Sequence, residues 1–185
     1  LLLDESAFSK YGARVKTTPP LRTNSDNQQL WKALEEGVID AIACDHYTEN
    51  LIPVSSDPML IRSAAAGIAG LETSLPLMMD AILKGKLSLR RFVEASAIKP
   101  ARLAGIDHAK GSLRPGMDAD FTIWNPQGKW KVQRSEKFSR LATTPYLDWE
   151  LQGSITQTWV RGEQVWDCET IQKASGYGKW IKAKR

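Results

Sequence analysis

The sequence has few residues of the kinds that assemble a metal centre within one segment. Its only histidines are His46 and His108, and its only cysteines are Cys44 and Cys168, with no metal-ligand spacing among them. This scarcity excludes an HExxH helix or a cluster of imidazole ligands built from this chain alone. Because the two cysteines lie far apart, they favour a reduced protein over a disulfide framework, and we expect a cytoplasmic location.

Long apolar runs and targeting signals are also missing. No stretch of about 18 apolar residues occurs, which is roughly the length that a membrane-spanning helix needs. The first residues, LLLDESAFSKYG, turn acidic early and lack the basic-then-apolar order of a signal peptide. We therefore expect no signal peptide and no membrane partner.

Positive charge is in excess but is not spread along the chain. The formal net charge is +4, and much of the excess lies near the end, at Lys173, Lys179, Lys182, Lys184 and Arg185. A solvated basic tail explains this distribution better than a nucleic-acid surface, in which basic and aromatic residues interleave. We expect no nucleic-acid partner.

A helix followed by a buried strand is predicted before Asp45. Apolar residues recur at helical spacing between residues 27 and 37, and a nearly continuous apolar run occupies residues 38–44. Such a run predicts a strand covered on both faces, as in a parallel sheet flanked by helices. It ends at Asp45, where barrel enzymes hold their chemistry. On spacing alone, Asp45 could instead hydrogen-bond nearby backbone or cap a helix.

The pattern changes from helix to strand near residue 110. Apolar residues share one helical face in 71–85, Ser88 is a suitable N-cap for the next helix, and Pro100 predicts a break in it. Farther along, β-branched and aromatic residues punctuated by glycine predict strands, with a hairpin turn at 161–163. With 42% hydrophobic residues, the chain can bury a core.

Four segments are most informative when taken together: KTTPPLR at 16–22, IDAIACDH at 39–46, AAGIAGLETSLPL at 65–77 and KGSLRPGMDADFTIWNP at 110–126. In this order and at these distances they resemble the C-terminal part of metal-dependent cyclic amidohydrolases, especially dihydroorotases and allantoinases. The similarity covers residues 1 to about 167. It implies an α/β fold, the C-terminal portion of a (β/α)8 barrel followed by part of a small β-sandwich. The expected regions are an incomplete barrel at 1–108, a sandwich portion at 109–167 and a basic tail at 168–185.

The resemblance also implies a zinc cofactor. In such enzymes histidines, a carboxylated lysine and an aspartate after the last barrel strand hold one or two metal ions. Only the aspartate maps onto this chain, at Asp45, which is implied to be both a metal ligand and a catalytic residue. As a catalytic residue it would take a proton from the attacking water and deliver it to the leaving ring nitrogen. We expect the chain alone not to hold zinc.

Four further residues are implied to contact substrate: Thr18, Glu49, Ala66 and Gly67. Dihydroorotases commonly have Asn at the position of Thr18 and His at the position of Glu49, so both are departures, and a carboxylate at Glu49 repels an anionic substrate. At Gly67 the absence of a Cβ would let backbone approach the ring. The alternative is that Gly67 only forms a turn before a helix.

Three polar residues beyond the barrel segments are assigned structural positions. Asp118 and Asp120 lie in the turn that leads into FTIW, where the family has the entry to its sandwich, and we expect them to support that turn. His108 follows a short helical stretch and is expected to be exposed.

The function indicated is that of a fragment of a zinc-dependent hydrolase of cyclic amides, most nearly dihydroorotase-like and inactive alone. Two alternatives stay open: an allantoinase-like or hydantoinase-like enzyme, and a non-catalytic amidohydrolase-like partner that has lost the metal centre. The expected partner is a small cyclic amide substrate, and a homo-oligomer is left open.

Overall fold

The computed structural model of the chain describes residues 1–47, 57–133 and 144–184. In these ranges the helices come first and the strands follow. The helices are α1 (Ala7–Tyr11), α2 (Asn24–Glu35), α3 (Pro58–Ser63), α4 (Ser74–Leu83), α5 (Leu89–Val93) and α6 (Lys99–Leu103), with a 3₁₀ turn at Gly12–Val15 and a π turn at Glu94–Ile98. The strands are β1 (Phe121–Lys131), β2 (Glu150–Val160) and β3 (Glu163–Trp166). The predicted change from helix to strand is confirmed.

Helix α2 begins with a reciprocal cap. The Thr23 hydroxyl accepts a hydrogen bond from the Asp26 N–H (3.2 Å), and the Asp26 carboxylate accepts one from the Thr23 N–H (3.0 Å). This arrangement satisfies N–H groups that the first helical turn leaves open. Trp31 and Leu34 then face the core. The predicted helix is confirmed, and it starts earlier than the apolar pattern indicated, at Asn24.

The prediction of a strand at 38–44 is wrong, because this segment forms no ladder with any described strand. Parallel strands are stabilised by regular hydrogen bonds to neighbouring strands. Here the contacts are isolated: the Ile42 N–H donates to the Ala95 carbonyl (3.0 Å), and the buried guanidinium of Arg91 donates to the Ile39 carbonyl. The segment is therefore a connection tethered to the helical layer at residues 91–95.

The three strands form one antiparallel sheet in the order β1-β2-β3. The predicted hairpin turn is confirmed between β2 and β3, where Arg161 and Gly162 both have positive φ (52° and 77°). The type I′ turn of a two-residue hairpin needs positive φ at both central positions, and its twist matches the twist of the flanking strands. Phe121 of β1 stacks on Trp159 of β2 with ring centroids 5.5 Å apart.

Helix α4 joins the helical layer to the sheet. Leu77 packs with Val132 and Leu151 of the sheet region, while Met78 and Met79 belong to the helical core. Asp80, nearly buried, accepts a hydrogen bond from the Gln152 N–H of β2 (2.9 Å). The apolar contacts supply burial, and the Asp80 contact sets where β2 lies along the helix.

Residues 89–103 are helical throughout, although Pro100 predicted a break. Ser88 caps the first turn, as predicted, by accepting from the Arg91 N–H (3.3 Å). The helix then widens through the π turn before Pro100. A proline has no N–H to donate to the preceding turn, and a locally widened turn accommodates that loss without ending the helix.

The final segment is attached to the rest of the chain through hydrogen bonds, while the side chains of Lys179, Lys182 and Lys184 are exposed, as expected for a solvated basic tail. The Lys184 N–H donates to the Gly105 carbonyl (2.8 Å), and the Tyr177 hydroxyl donates to the Val160 carbonyl (3.0 Å). The Arg161 guanidinium lies 4.2 Å from the centre of the Tyr177 ring. No described helix has the length and apolar character to cross a bilayer.

Candidate functional site

Three segments that are far apart in sequence meet at the candidate site. The Gly67 N–H donates to the Lys16 carbonyl (2.8 Å), and the Tyr47 N–H donates to the Ile68 carbonyl (3.2 Å). A parallel bridge also pairs His46 with Ile68. Residues 66–71, here called the 66–71 turn, therefore contact both the segment leading to Thr18 and the segment containing Asp45.

An open cavity of about 1420 Å³ lies where these segments meet. Four of the five residues expected at the site line it: Thr18, Asp45, Ala66 and Gly67. The fifth, Glu49, lies outside the described residues. Small-molecule sites usually have volumes of about 300–1,000 Å³, so this cavity exceeds the needs of one small ring.

Asp45 is exposed to the cavity and has an uncommon backbone conformation, with φ of 43°. Among the described residues, no group donates a hydrogen bond to its carboxylate. Asp tolerates positive φ better than most residues, but the conformation still costs energy and often marks functional positions. The described contacts thus show no cap or backbone partner for the Asp45 side chain, and Asp45 lines the cavity.

The His46 side chain forms its hydrogen bonds with the 66–71 turn. Its imidazole Nδ1 accepts hydrogen bonds from the N–H groups of Gly70 (3.1 Å) and Leu71 (2.9 Å). Because Nδ1 accepts both, the proton of the neutral ring is on Nε2. The residue directly after Asp45 is therefore fastened to the turn that carries Ala66 and Gly67.

Gly67 has a structural reason for lacking a side chain that the sequence did not indicate. Its φ is +146°, a conformation that L side chains rarely adopt. A Cβ at this position would lie 2.5 Å from the Cβ of Tyr47 and 2.8 Å from its Cγ. The close neighbour is thus the Tyr47 side chain, so this contact by itself requires glycine whether or not a ligand binds.

Lys16 holds the same turn from the opposite side. Its Nζ donates to the carbonyls of Arg62 (2.9 Å) and Ala64 (2.6 Å), which lie at the end of α3 and just beyond it. A cation suits this place because carbonyls at the end of a helix lack helical N–H partners. Sequence reasoning missed Lys16, since nothing in KTTPPLR predicts where its ammonium points.

Lys110, Asp118 and Asp120 also border the cavity, but they satisfy one another. Lys110 Nζ pairs with Asp118 (2.8 Å) and Asp120, and Asp120 also accepts a hydrogen bond from the Arg161 N–H (2.8 Å). Burial alone would lower the pKa of Lys110, but the two carboxylates outweigh it and raise that pKa, while the Lys110 hydrogen bond lowers the pKa of Asp118. These contacts support the predicted structural role of Asp118 and Asp120.

The expectation that His108 is exposed is wrong. Its side chain is half-buried, and its Nδ1 has no hydrogen-bond partner among the described residues. It does not line the cavity.

The described residues supply too few ligands for a divalent metal. A catalytic zinc ion usually takes three protein ligands. Within the described residues, no three His, Cys, Asp or Glu side chains are close enough to hold a metal. The exposed Asp45 carboxylate suits one ligand position, so the described residues by themselves do not complete a metal centre.

Comparison with known proteins agrees with this geometry. The model of the Amidohydrolase family matches residues 9–165. A dihydroorotase of Geobacter metallireducens is 37% identical over 164 residues, covering 89% of this chain and 38% of that protein. A D-phenylhydantoinase of Escherichia coli O1:K1 is 31% identical over 189 residues, covering 100% of this chain and 41% of that protein.

Solved structures give the same result. The L-hydantoinase (dihydropyrimidinase) from Arthrobacter aurescens superposes with a TM-score of 0.87 at 34% identity, covering 96% of this chain and 40% of that one. The chain belongs to the amidohydrolase family, whose members are generally metal-dependent. It spans about two fifths of the length of these relatives.

Proposed function

We propose that this chain is the C-terminal part of a zinc-dependent cyclic amidohydrolase that opens a cyclic amide ring, most nearly a dihydroorotase. The observation that carries the proposal is the meeting of three segments at one cavity lined by Thr18, Asp45, Ala66 and Gly67. The similarity to dihydroorotases at up to 37% identity supports the same reaction class.

The proposed architecture is the end of a (β/α)8 barrel at residues 1–108, part of a β-sandwich at 109–167 and a basic tail at 168–185. The helices lie before residue 104 and the antiparallel strands after residue 120, in agreement with this division. The large cavity and the coverage of about two fifths of the relatives both support a complete enzyme in which further protein closes the site. We place that enzyme in the cytoplasm and leave a homo-oligomer open.

The chemistry proposed for Asp45 follows from its position. When bound, zinc would polarise the amide carbonyl as a Lewis acid. Asp45 would provide one of its ligands, and its carboxylate would take a proton from the attacking water and pass it to the leaving ring nitrogen. The carboxylate suits this task because it is short, anionic and not engaged by another described group.

The substrate-facing residues bear on which ring is opened. We propose that the backbone at Ala66 and Gly67 faces the ring and that Thr18 borders it, and the resemblance alone adds Glu49 to the substrate-binding residues. The carboxylate of Glu49 would oppose an anionic ring such as dihydroorotate. That charge favours the second candidate, a neutral ring such as a hydantoin or allantoin, and the D-phenylhydantoinase similarity supports it.

The test is a substrate panel for the complete enzyme that contains this chain. With zinc supplied, ring opening of dihydroorotate, allantoin and a 5-substituted hydantoin is measured by loss of ring absorbance and by product chromatography. Hydrolysis of dihydroorotate at the highest kcat/KM supports the main proposal, and preference for a neutral ring supports the second. A complete enzyme that binds no metal and opens none of these rings would instead be a non-catalytic partner.

A further inference from the structure

The 66–71 turn is held by side chains that have no part in the proposed proton transfer. Lys16 holds the backbone just before the turn through two carbonyls, and His46 holds the far end through Gly70 and Leu71. Ala66 and Gly67 lie between these two anchors. Their position relative to Asp45 therefore depends on how firmly each anchor is fixed.

Histidine at position 46 provides a contact that few other residues could provide. One nitrogen accepts from two consecutive backbone N–H groups at 3.1 and 2.9 Å, which defines both the distance and the orientation of the turn. Because His46 follows Asp45 directly, the same contact connects the backbone of Asp45 to the turn. The parallel bridge between His46 and Ile68 adds a second connection beside it.

We propose that His46 is a positioning residue: its Nδ1 locks the 66–71 turn against Asp45, so that the Ala66–Gly67 backbone and the Asp45 carboxylate keep one fixed separation across the cavity. In this role the imidazole does not touch substrate. The kinetic consequence rests on the proposed function, whereas the hydrogen bonds to Gly70 and Leu71 belong to the chain itself.

Loss of the acceptor frees two N–H groups and loosens the turn. If the backbone at Ala66 and Gly67 binds the ring equally in the ground state and the transition state, the loss raises KM and leaves kcat nearly unchanged. A loss of hydrogen bonds of ordinary strength corresponds to a rise in KM of about tenfold. Asp45 keeps its carboxylate and its place in the chain, so the proton-transfer step is not removed.

The experiment compares three variants of the complete zinc-loaded enzyme. His46→Phe keeps a planar ring but removes the acceptor, whereas His46→Asn keeps an acceptor near the position of Nδ1. His108→Phe is the matched control, because it changes the other histidine away from the cavity. Amide hydrogen exchange at Gly70 and Leu71 is measured together with KM, kcat and zinc content.

The expected result is that His46→Phe speeds exchange at Gly70 and Leu71 and raises KM about tenfold, with zinc content and kcat within about threefold of wild type. His46→Asn should restore most of both properties, and His108→Phe should change neither. Unchanged exchange in His46→Phe would overturn the proposal. It would also fail if His46→Asn raised KM as much as His46→Phe.

Two further outcomes remain informative. If the wild-type enzyme opens no cyclic amide, the proposed function fails, while exchange at Gly70 and Leu71 still decides whether His46 holds the turn. If His46→Phe does not fold, hydrogen exchange in His46→Asn and the nitrogen NMR spectrum of the wild-type imidazole decide whether Nδ1 holds the turn. A proton on Nδ1 in the neutral ring would contradict the structure and the proposal together.

Discussion

Replacing Gly67 with alanine is the sharpest test of how the 66–71 turn is built. The φ of +146° is nearly restricted to glycine, and forcing another residue into it costs on the order of 1–3 kcal/mol. The new Cβ would also lie 2.5 Å from the Tyr47 Cβ, and relieving such an overlap costs about 1–3 kcal/mol more. We therefore expect Gly67→Ala to lower the free energy of unfolding by at least about 2 kcal/mol, or to displace the turn.

Gly70→Ala is the matched control in the same turn. Its φ lies outside the positive range, and an added Cβ meets nothing closer than the Ser74 hydroxyl at 3.4 Å. Urea unfolding followed by tryptophan fluorescence measures both variants. Equal, small effects of the two substitutions would refute the reasoning about Gly67.

The two parts of the cost can be separated through Tyr47. Tyr47→Ala removes the overlaps with Cγ and Cδ1 at 2.8 Å but keeps the overlap with Cβ at 2.5 Å, so it should recover part of the Gly67→Ala loss in a double-mutant cycle, and Tyr47→Gly should recover more. The φ cost would remain in both double variants. Equal recovery with alanine and glycine at position 47 would show that the overlap is not with the Tyr47 Cβ.

Three other experiments have defined outcomes. In the complete enzyme, Asp45→Asn should lower kcat at least about 100-fold with zinc retained, while Asp120→Asn should act on stability and spare the kcat of the folded fraction; near-normal kcat in Asp45→Asn would remove the catalytic assignment. Burial raises the pKa of Tyr146 from 10 to about 12, assisted by the nearby Tyr11. The stability gained by burying the neutral Tyr146 hydroxyl is fully present below pH 10 and falls by about 3 kcal/mol as pH rises to 12. Tyr146→Phe should therefore flatten the alkaline decline in the free energy of unfolding measured in urea. An unchanged decline would contradict this. The 185-residue chain alone should open no cyclic amide above trace rates, and chromatographic detection of product would disprove this.

Local patterns predicted the helices and the hairpin well. Helix α2 and the Ser88 cap depend on neighbours within a few residues, and the Arg161–Gly162 turn depends on two backbone angles. The strand prediction for 38–44 is wrong because a strand depends on neighbouring strands elsewhere in the chain, and apolar character alone does not show whether those strands are present. The helix break predicted at Pro100 is absent for a related reason, since a π turn can accommodate the missing N–H.

The candidate site was predicted in its segments but not in its contacts. The resemblance implies Asp45 and the Ala66–Gly67 segment, whereas the contact of Tyr47 with Gly67 and that of Lys16 with the Ala64 carbonyl appear only in the three-dimensional structure. These are contacts between residues about 20 to 50 positions apart, and no helical or strand periodicity encodes them. The segment IDAIACDH contains both Asp45 and His46, but the sequence implies a role only for Asp45, because the donors and acceptors around an imidazole cannot be inferred from its neighbours in the chain.

In the part of the chain that the structure describes, hydrogen bonds at the cavity hold the backbone of the 66–71 turn but not the Asp45 carboxylate. Among the described residues, the turn that would face the ring is held by His46, by Lys16 and by the glycine conformation at Gly67. The Asp45 carboxylate, in contrast, has no hydrogen bond from a described residue. Preorganised backbone keeps its place without a ligand, whereas an unengaged carboxylate is ready for a metal or a proton. The chain can therefore carry a formed substrate-facing surface even though its described residues do not complete a metal centre.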